Sequence, residues 1–111
     1  MDIDIRSVED ATVVAIAGDL DTSTSRTVMD RTIPLAESSG RLILDLSRVG
    51  YMSSAGLRVV LSLYRRVSSQ GGDLVLVGVA DEIRDTMEIT GFLDYFSTHE
   101  TIDEAIRALR R

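Results

Sequence analysis

Cysteine, lysine and asparagine are missing altogether from this chain, and histidine and proline occur once each. Without cysteine there are no disulfides and no thiol chemistry. With no lysine, all 12 cations are arginines; the joint loss of lysine and asparagine reads as a bias of genome composition rather than a property of a site. Aromatic residues make up only 5 % of the chain and the formal net charge is −6. That balance argues against nucleic acid, because neutralising phosphates needs a basic face. A protein partner would instead present a complementary, more basic surface. No apolar run approaches the roughly 20 residues that span a bilayer, which excludes a membrane anchor of that kind. The opening Met1-Asp2-Ile3-Asp4 lacks the basic and apolar regions of a signal peptide, so a cytoplasmic location is expected. Walker A, G-x-G-x-x-G and G-x-S-x-G motifs are all absent, so no enzyme is expected.

What remains is 111 residues, 44 % of them hydrophobic, enough for one domain, 1–111, with a real core. Ile3 to Val8 alternates as a half-buried strand does, and Ala11 to Ala17 is denser in apolar residues. The Glu9-Asp10 turn between them predicts an antiparallel hairpin. After Gly18-Asp19-Leu20-Asp21, the oxygens of Thr22, Ser23 and Thr24 can cap a helix reaching about Glu37. Pro34 is expected to kink or break that helix near Ile33. Past the Ser38-Ser39-Gly40 turn, Arg41 to Leu46 is apolar enough for a central strand. Leu57, Val60, Leu61, Tyr64 and Val67 form one stripe on a helix from about Ser54 to Ser68, ended by Ser69-Gln70-Gly71-Gly72.

Asp73 to Val79 reads as a further apolar strand, and Asp81 as the cap of a helix that Gly91 ends, with Ile83 and Met87 inward. The aromatic Phe92 to Phe96 precedes a short extended stretch around Ser97. Thr101-Ile102-Asp103-Glu104 fits a T-x-x-E capping box, and Ile102, Ala105, Ile106 and Leu109 share one face of the terminal helix. Arg107, Arg110 and Arg111 suit that helix's negative end. The order predicts an α/β fold: a mixed sheet of four to five strands opening with an antiparallel hairpin, and about four helices mainly on one side.

The segment Tyr51-Met52-Ser53-Ser54-Ala55-Gly56-Leu57-Arg58 places two hydroxyls where a strand leads into an amphipathic helix. A hydroxyl at a helix start lies beside unpaired backbone N–H groups and the positive end of the dipole, so a phosphate there is stabilised rather than repelled. The plainer reading makes both serines caps. The small Ala55 and Gly56 tip the reading towards an accessible hydroxyl, since glycine in a first helical turn costs about 1 kcal/mol and implies a close approach. Asp19 and Asp21 read equally well as turn or capping carboxylates. Joined with Asp45 they could ligate magnesium only if the chain brought all three together. His99, the single histidine, reads as an exposed residue near a turn, with no activated serine to serve.

The chain resembles the anti-sigma factor antagonists, single-domain members of the STAS family. The likeness rests on the Gly18-Asp19-Leu20-Asp21 turn, the Leu42-to-Leu46 strand, Tyr51 to Leu57, and the closing segment from Gly91-Phe92 to Leu109. The resemblance implies the STAS fold and a regulatory cycle without a cofactor. In that cycle the unphosphorylated antagonist binds an anti-sigma factor that is itself a serine kinase, and so frees a sigma factor. Phosphorylation releases the antagonist, and a PPM-type phosphatase restores it. The family's acceptor lies in Asp-Ser-(Ser or Thr)-Gly-Leu; laid on this chain, Ser54 takes the acceptor position and Ser53 stands where the family has aspartate. Ser53 is therefore a second possible acceptor.

Asp21 matches the aspartate of the family's Gly-x-Leu-Asp turn. The resemblance implies a partner-binding face of Asp19, Asp21, Ser53, Ala55, Gly56, Leu57 and Arg58, on a chain expected to be monomeric when free. Two other readings differ in class. One is a constitutive, unphosphorylated STAS scaffold or transport-complex subunit. The other is a receiver with Asp45 as acceptor, which the absence of lysine and the opening hairpin oppose.

Overall fold

The computed structural model describes residues 1–38 and 40–110. Five strands form one sheet in the order β1-β2-β3-β4-β5, with β1 Asp2–Val8, β2 Ala11–Ala17, β3 Arg41–Arg48, β4 Asp73–Val77 and β5 Ser97–His99. The β1–β2 pair is the expected antiparallel hairpin, with Glu9 in the turn at φ 54°; every other pairing is parallel. β3 lies at the centre, as its near-continuous apolar run requires of a strand covered on both faces.

The pleat sorts the apolar residues into two cores. Val14, Ile16, Leu42, Leu44, Leu46, Leu74 and Leu76 face one way, beneath the helices α1 (Thr22–Ser38), α2 (Ser54–Ser69) and α3 (Asp81–Ile89). Val13, Ile43, Val75 and Val77 face the other way, against Ala105, Ile106 and Leu109 of α4 (Ile102–Leu109). Three helices thus share one side of the sheet, as expected, and the terminal one covers the other. On α2 the stripe Leu57, Val60, Leu61 and Val67 is buried, with Val59 and Leu63 widening it. α1 lies on α2 through Val28, Thr32 and Ala36; the buried Thr32 hydroxyl is satisfied by donating to the Val28 carbonyl at 2.6 Å.

Four local expectations change. The α1 cap is Asp21, whose Oδ1 accepts from the Ser23 N–H at 2.9 Å and the Thr24 N–H at 3.2 Å, while the Thr24 hydroxyl accepts from the Asp21 N–H at 3.0 Å. A carboxylate one residue earlier meets those amides better than the hydroxyls of Thr22, Ser23 or Thr24, which lie within the helix itself. Pro34 does not break α1, which runs on to Ser38. The proline is exposed, so the carbonyl it leaves without an N–H partner can be solvated. Asp81 is the first residue of α3 rather than its cap; the cap position is Ala80, with no side-chain bond, and Asp81 and Glu82 instead complement the dipole. β4 stops at Val77 rather than Val79, because Gly78 turns the chain with φ 71° against the Ser47 backbone.

Two further ends agree with expectation, while β3 runs on to Arg48, two residues past the expected Leu46. Gly91, at φ 80°, closes α3, and Phe92–Tyr95 forms a single 3-10 turn before β5. Thr101 caps α4 by accepting from the Glu104 N–H at 3.1 Å. The Glu104 carboxylate returns to the Glu100 N–H at 3.3 Å, one residue earlier than a capping box would have it. Ser39 of the expected turn and Arg111 of the terminal charge cluster lie outside the described residues.

Candidate phosphoacceptor site

Two loops leave the C-terminal ends of the parallel strands β2 and β3 side by side. Their backbones continue the ladder: the Gly18 N–H donates to the Arg48 carbonyl at 3.1 Å, the Leu20 N–H to Tyr51 at 2.9 Å, and the Ser53 N–H to Leu20 at 2.9 Å. The fully buried Leu20 and the nearly buried Met52 pair across this lacing and anchor it in the core. Asp19 and Tyr51 are left facing solvent, Tyr51 with 55 % of its surface exposed. Asp21 and Ser54 each follow a residue of the Leu20–Ser53 bond, so the topology brings the two segments together.

The serines have different positions and different work. Ser53 is the cap of α2, extended at φ −82° and ψ 177°, and its hydroxyl accepts from the Gly56 N–H at 3.4 Å. Its carbonyl takes the first intrahelical bond, from the Leu57 N–H at 2.9 Å. Ser54 is the first helical residue; it is exposed, and among the described residues its hydroxyl has no hydrogen-bond partner. At that position a group on Oγ lies next to N–H groups that have no intrahelical acceptor.

Gly56 has a role the sequence pointed to only in part. A close approach does require glycine, but the approach is internal. A Cβ at residue 56 would sit 2.5 Å from the Leu20 carbonyl oxygen and 2.8 Å from Met52 Cγ. Gly56 and Leu57 are buried and seat the helix start against the Leu20 loop. Asp19 and Arg58 are exposed, and Asp21, Ser53 and Ala55 are half-buried. Tyr51, to which the sequence pattern assigns no role, joins them at the surface; its only sequence signal is an aromatic residue set directly after Gly50 and before the serine pair.

The Asp21 carboxyl is held below the usual carboxylate range, chiefly by the hydrogen bond from the Ser23 hydroxyl at 2.7 Å, aided by the Ser23 and Thr24 amides and opposed by partial desolvation. It is therefore a fixed negative charge at neutral pH. Asp45 does not join Asp19 and Asp21. Its carboxylate accepts from the Ser47 N–H at 3.0 Å and the Ser47 hydroxyl at 2.7 Å, and no three His, Cys, Asp or Glu among the described residues gather to hold a metal. His99 is half-buried at the end of β5 rather than exposed, and among the described residues its buried Nε2 has no hydrogen-bond partner. It lines a cleft of about 470 Å³ with Tyr64, Asp73, Tyr95 and Ser97, reaching the start of β4, the end of the sheet opposite Ser54.

Residues 2–105 match the STAS domain. The chain belongs to the STAS domain family. An anti-sigma-B factor antagonist of Bacillus subtilis (strain 168) is 32 % identical over 94 residues, covering 85 % of this STAS chain and 86 % of the relative. One from Staphylococcus aureus (strain NCTC 8325 / PS 47) is 28 % identical over 88 residues, 78 % of this chain and 82 % of that one.

Solved structures share the STAS fold. An anti-sigma factor antagonist from Mycobacterium paratuberculosis superposes with a TM-score of 0.89 at 24 % identity, over 99 % of this chain and 94 % of that one. The phosphorylated form of the Bacillus cell fate determinant SpoIIAA gives 0.77 at 19 % identity, over 98 % and 100 %. A sulfate transporter family protein from Wolinella succinogenes gives 0.80 at 18 %, over 95 % and 88 %, so this STAS fold also occurs outside the antagonists.

Proposed function

We propose that this STAS domain is an anti-sigma factor antagonist whose docking is gated by phosphorylation of Ser54. Unphosphorylated, it binds a serine-kinase anti-sigma factor and so frees a sigma factor. The kinase then phosphorylates Ser54 and the complex parts; a PPM-type phosphatase restores the hydroxyl. The observation that carries this reading is the division of labour between the serines: Ser53 is engaged as the cap, while Ser54 is exposed and unbonded. The chain supplies only the nucleophilic hydroxyl; the kinase supplies ATP, magnesium and the base.

The gating needs no refolding. A phosphate carries about −1.5 to −2 charges at neutral pH and would be set in a docking face that already holds the Asp19 and Asp21 carboxylates. Full release from full binding takes about 5.5 kcal/mol of differential affinity. Steric exclusion, desolvation of a dianion and like-charge repulsion act together toward that figure. Tyr51, exposed beside the acceptor, is suited to anchor the partner, as aromatic side chains do at interface centres.

Incubation with the cognate kinase and ATP, read by intact mass, is expected to add one phosphate, which Ser54→Ala abolishes and Ser53→Ala does not. Labelling of the Ser54→Ala variant at unchanged stoichiometry overturns the assignment. The competing reading, a constitutive scaffold or transport-complex subunit, draws its support from Ser53 standing where the antagonists' pattern has aspartate. It predicts a stable partner complex indifferent to ATP.

A further inference from the structure

We propose that Arg58 is the internal counter-ion of the phosphorylated acceptor, pairing with a phosphate on Ser54 along the face of α2. The proposal rests on the reading of Ser54 as the acceptor and deepens it. Arg58 lies four residues after Ser54 within the same helix, a spacing that makes two side chains neighbours, about 5–6 Å apart at Cβ. Helical side chains lean towards the N-terminus, so the guanidinium of Arg58 sweeps over the turn that holds Ser54. An anion N-terminal to a cation at this spacing is also the favourable order.

Both residues are exposed, and among the described residues the Arg58 side chain makes no ion pair or hydrogen bond. By contrast, the exposed Arg26, Arg66 and Arg110 already have carboxylate partners in Asp30, Glu37 and Glu9. The charged or titratable groups on the adjoining loops are Asp19, Asp21 and Tyr51, with Arg48 at the end of β3. Asp21 is already engaged in capping α1, which leaves Arg58 as the cation on the acceptor's own helical face. A guanidinium offers phosphate two parallel N–H donors, where an ammonium offers only a point charge.

The consequence is a switch with two effects. In the unmodified chain Arg58 is available to an acidic group of the partner. Once Ser54 carries a phosphate, the docking face gains a dianion, and its arginine turns inward along the helix to meet it.

The test uses the full chain with phosphoserine genetically encoded at position 54, so that no kinase is required, and follows the phosphorus-31 shift against pH. A nearby cation favours the dianion and lowers its second pKa, ordinarily near 6. Removing the cation in Arg58→Gln is expected to raise the midpoint by about 0.3–0.7 pH unit, a two- to five-fold gain in proton affinity. Arg58→Lys should recover part of that shift, and about 1 M salt should erase most of it. Coincident midpoints for the parent and Arg58→Gln overturn the pairing; coincident midpoints for the parent and Arg58→Lys overturn the bidentate contact. Failure of a kinase to label Ser54 would instead overturn the gating reading, while the encoded phosphoserine still decides the pairing.

Discussion

A methyl group at residue 56 would have to share space with the Leu20 carbonyl, 2.5 Å away, whose oxygen already accepts from the Ser53 N–H. Gly56→Ala therefore sets two effects against each other. Alanine is better in a helix by about 1 kcal/mol, but forcing atoms into a packed backbone contact costs about 1–3 kcal/mol. Backbone on one side and the buried Met52 on the other leave little room to yield, so the steric term wins. Urea denaturation is expected to show a net loss of about 1–2 kcal/mol, against no change for Gly50→Ala, where nothing lies within 4 Å. The sequence announced a close approach at Gly56 but not its partner, because the Leu20 carbonyl arrives from a distant segment.

Asp21 shows a related limit at residue scale: local preference favoured three hydroxyls, and the better-placed carboxylate took the amides. Its folded pKa lies below the unfolded value of 3.8, so the unfolded chain binds more protons in that range and stability falls with acidification. The contribution is fully present above about pH 5 and declines as pH drops through 3.8 and lower. Asparagine caps a helix comparably and does not titrate. The denaturant midpoint of the parent relative to Asp21→Asn should accordingly be constant above about pH 5 and fall towards pH 3.

At the scale of elements, the legible parts were those written in local periodicity. The apolar run of β3 and the α2 stripe each specify an element and what it buries, whereas the alternation before Glu9 specifies the strand alone: no residue of β1 is fully buried and Ile5 is exposed. Boundaries were less legible where tertiary contact decides them, as at Gly78, which packs against Ser47 and ends β4 early. Pro34 reveals another limit: propensity opposes helix there, yet the packing of Val28, Thr32 and Ala36 carries α1 past it. That conflict is testable. Pro34→Ala restores an N–H to the ladder on an exposed face and removes an intrinsic penalty of about 3 kcal/mol. The unfolded chain regains freedom worth up to about 1 kcal/mol, which opposes the gain. Thermal unfolding is expected to report a net stabilisation of about 1–2 kcal/mol.

For the molecule as a whole, the candidate site and the cores meet only through residues that face inward. Leu20, Met52, Gly56 and Leu57 tie the two loops to the larger core, while Asp19, Tyr51, Ser54 and Arg58 face solvent. α4 and its smaller core lie on the other face of the sheet. The burial of that inner set was not readable from a motif whose outer and inner members alternate within a few residues, yet it is what separates docking from folding. A charge at Ser54 should therefore act on the two in opposite directions. Aspartate at the first position of α2 meets the positive end of the dipole and should raise stability by about 0.3–1 kcal/mol at low salt. The same charge would have to be desolvated beside the carboxylates of Asp19 and Asp21 on the proposed docking face and should weaken partner binding. Denaturation and calorimetry on Ser54→Asp are thus expected to show a higher unfolding midpoint together with a lower affinity. A fall in both would mean that residue 54 acts through the fold, with repulsion from Asp19 and Asp21 or lost packing outweighing the favourable dipole.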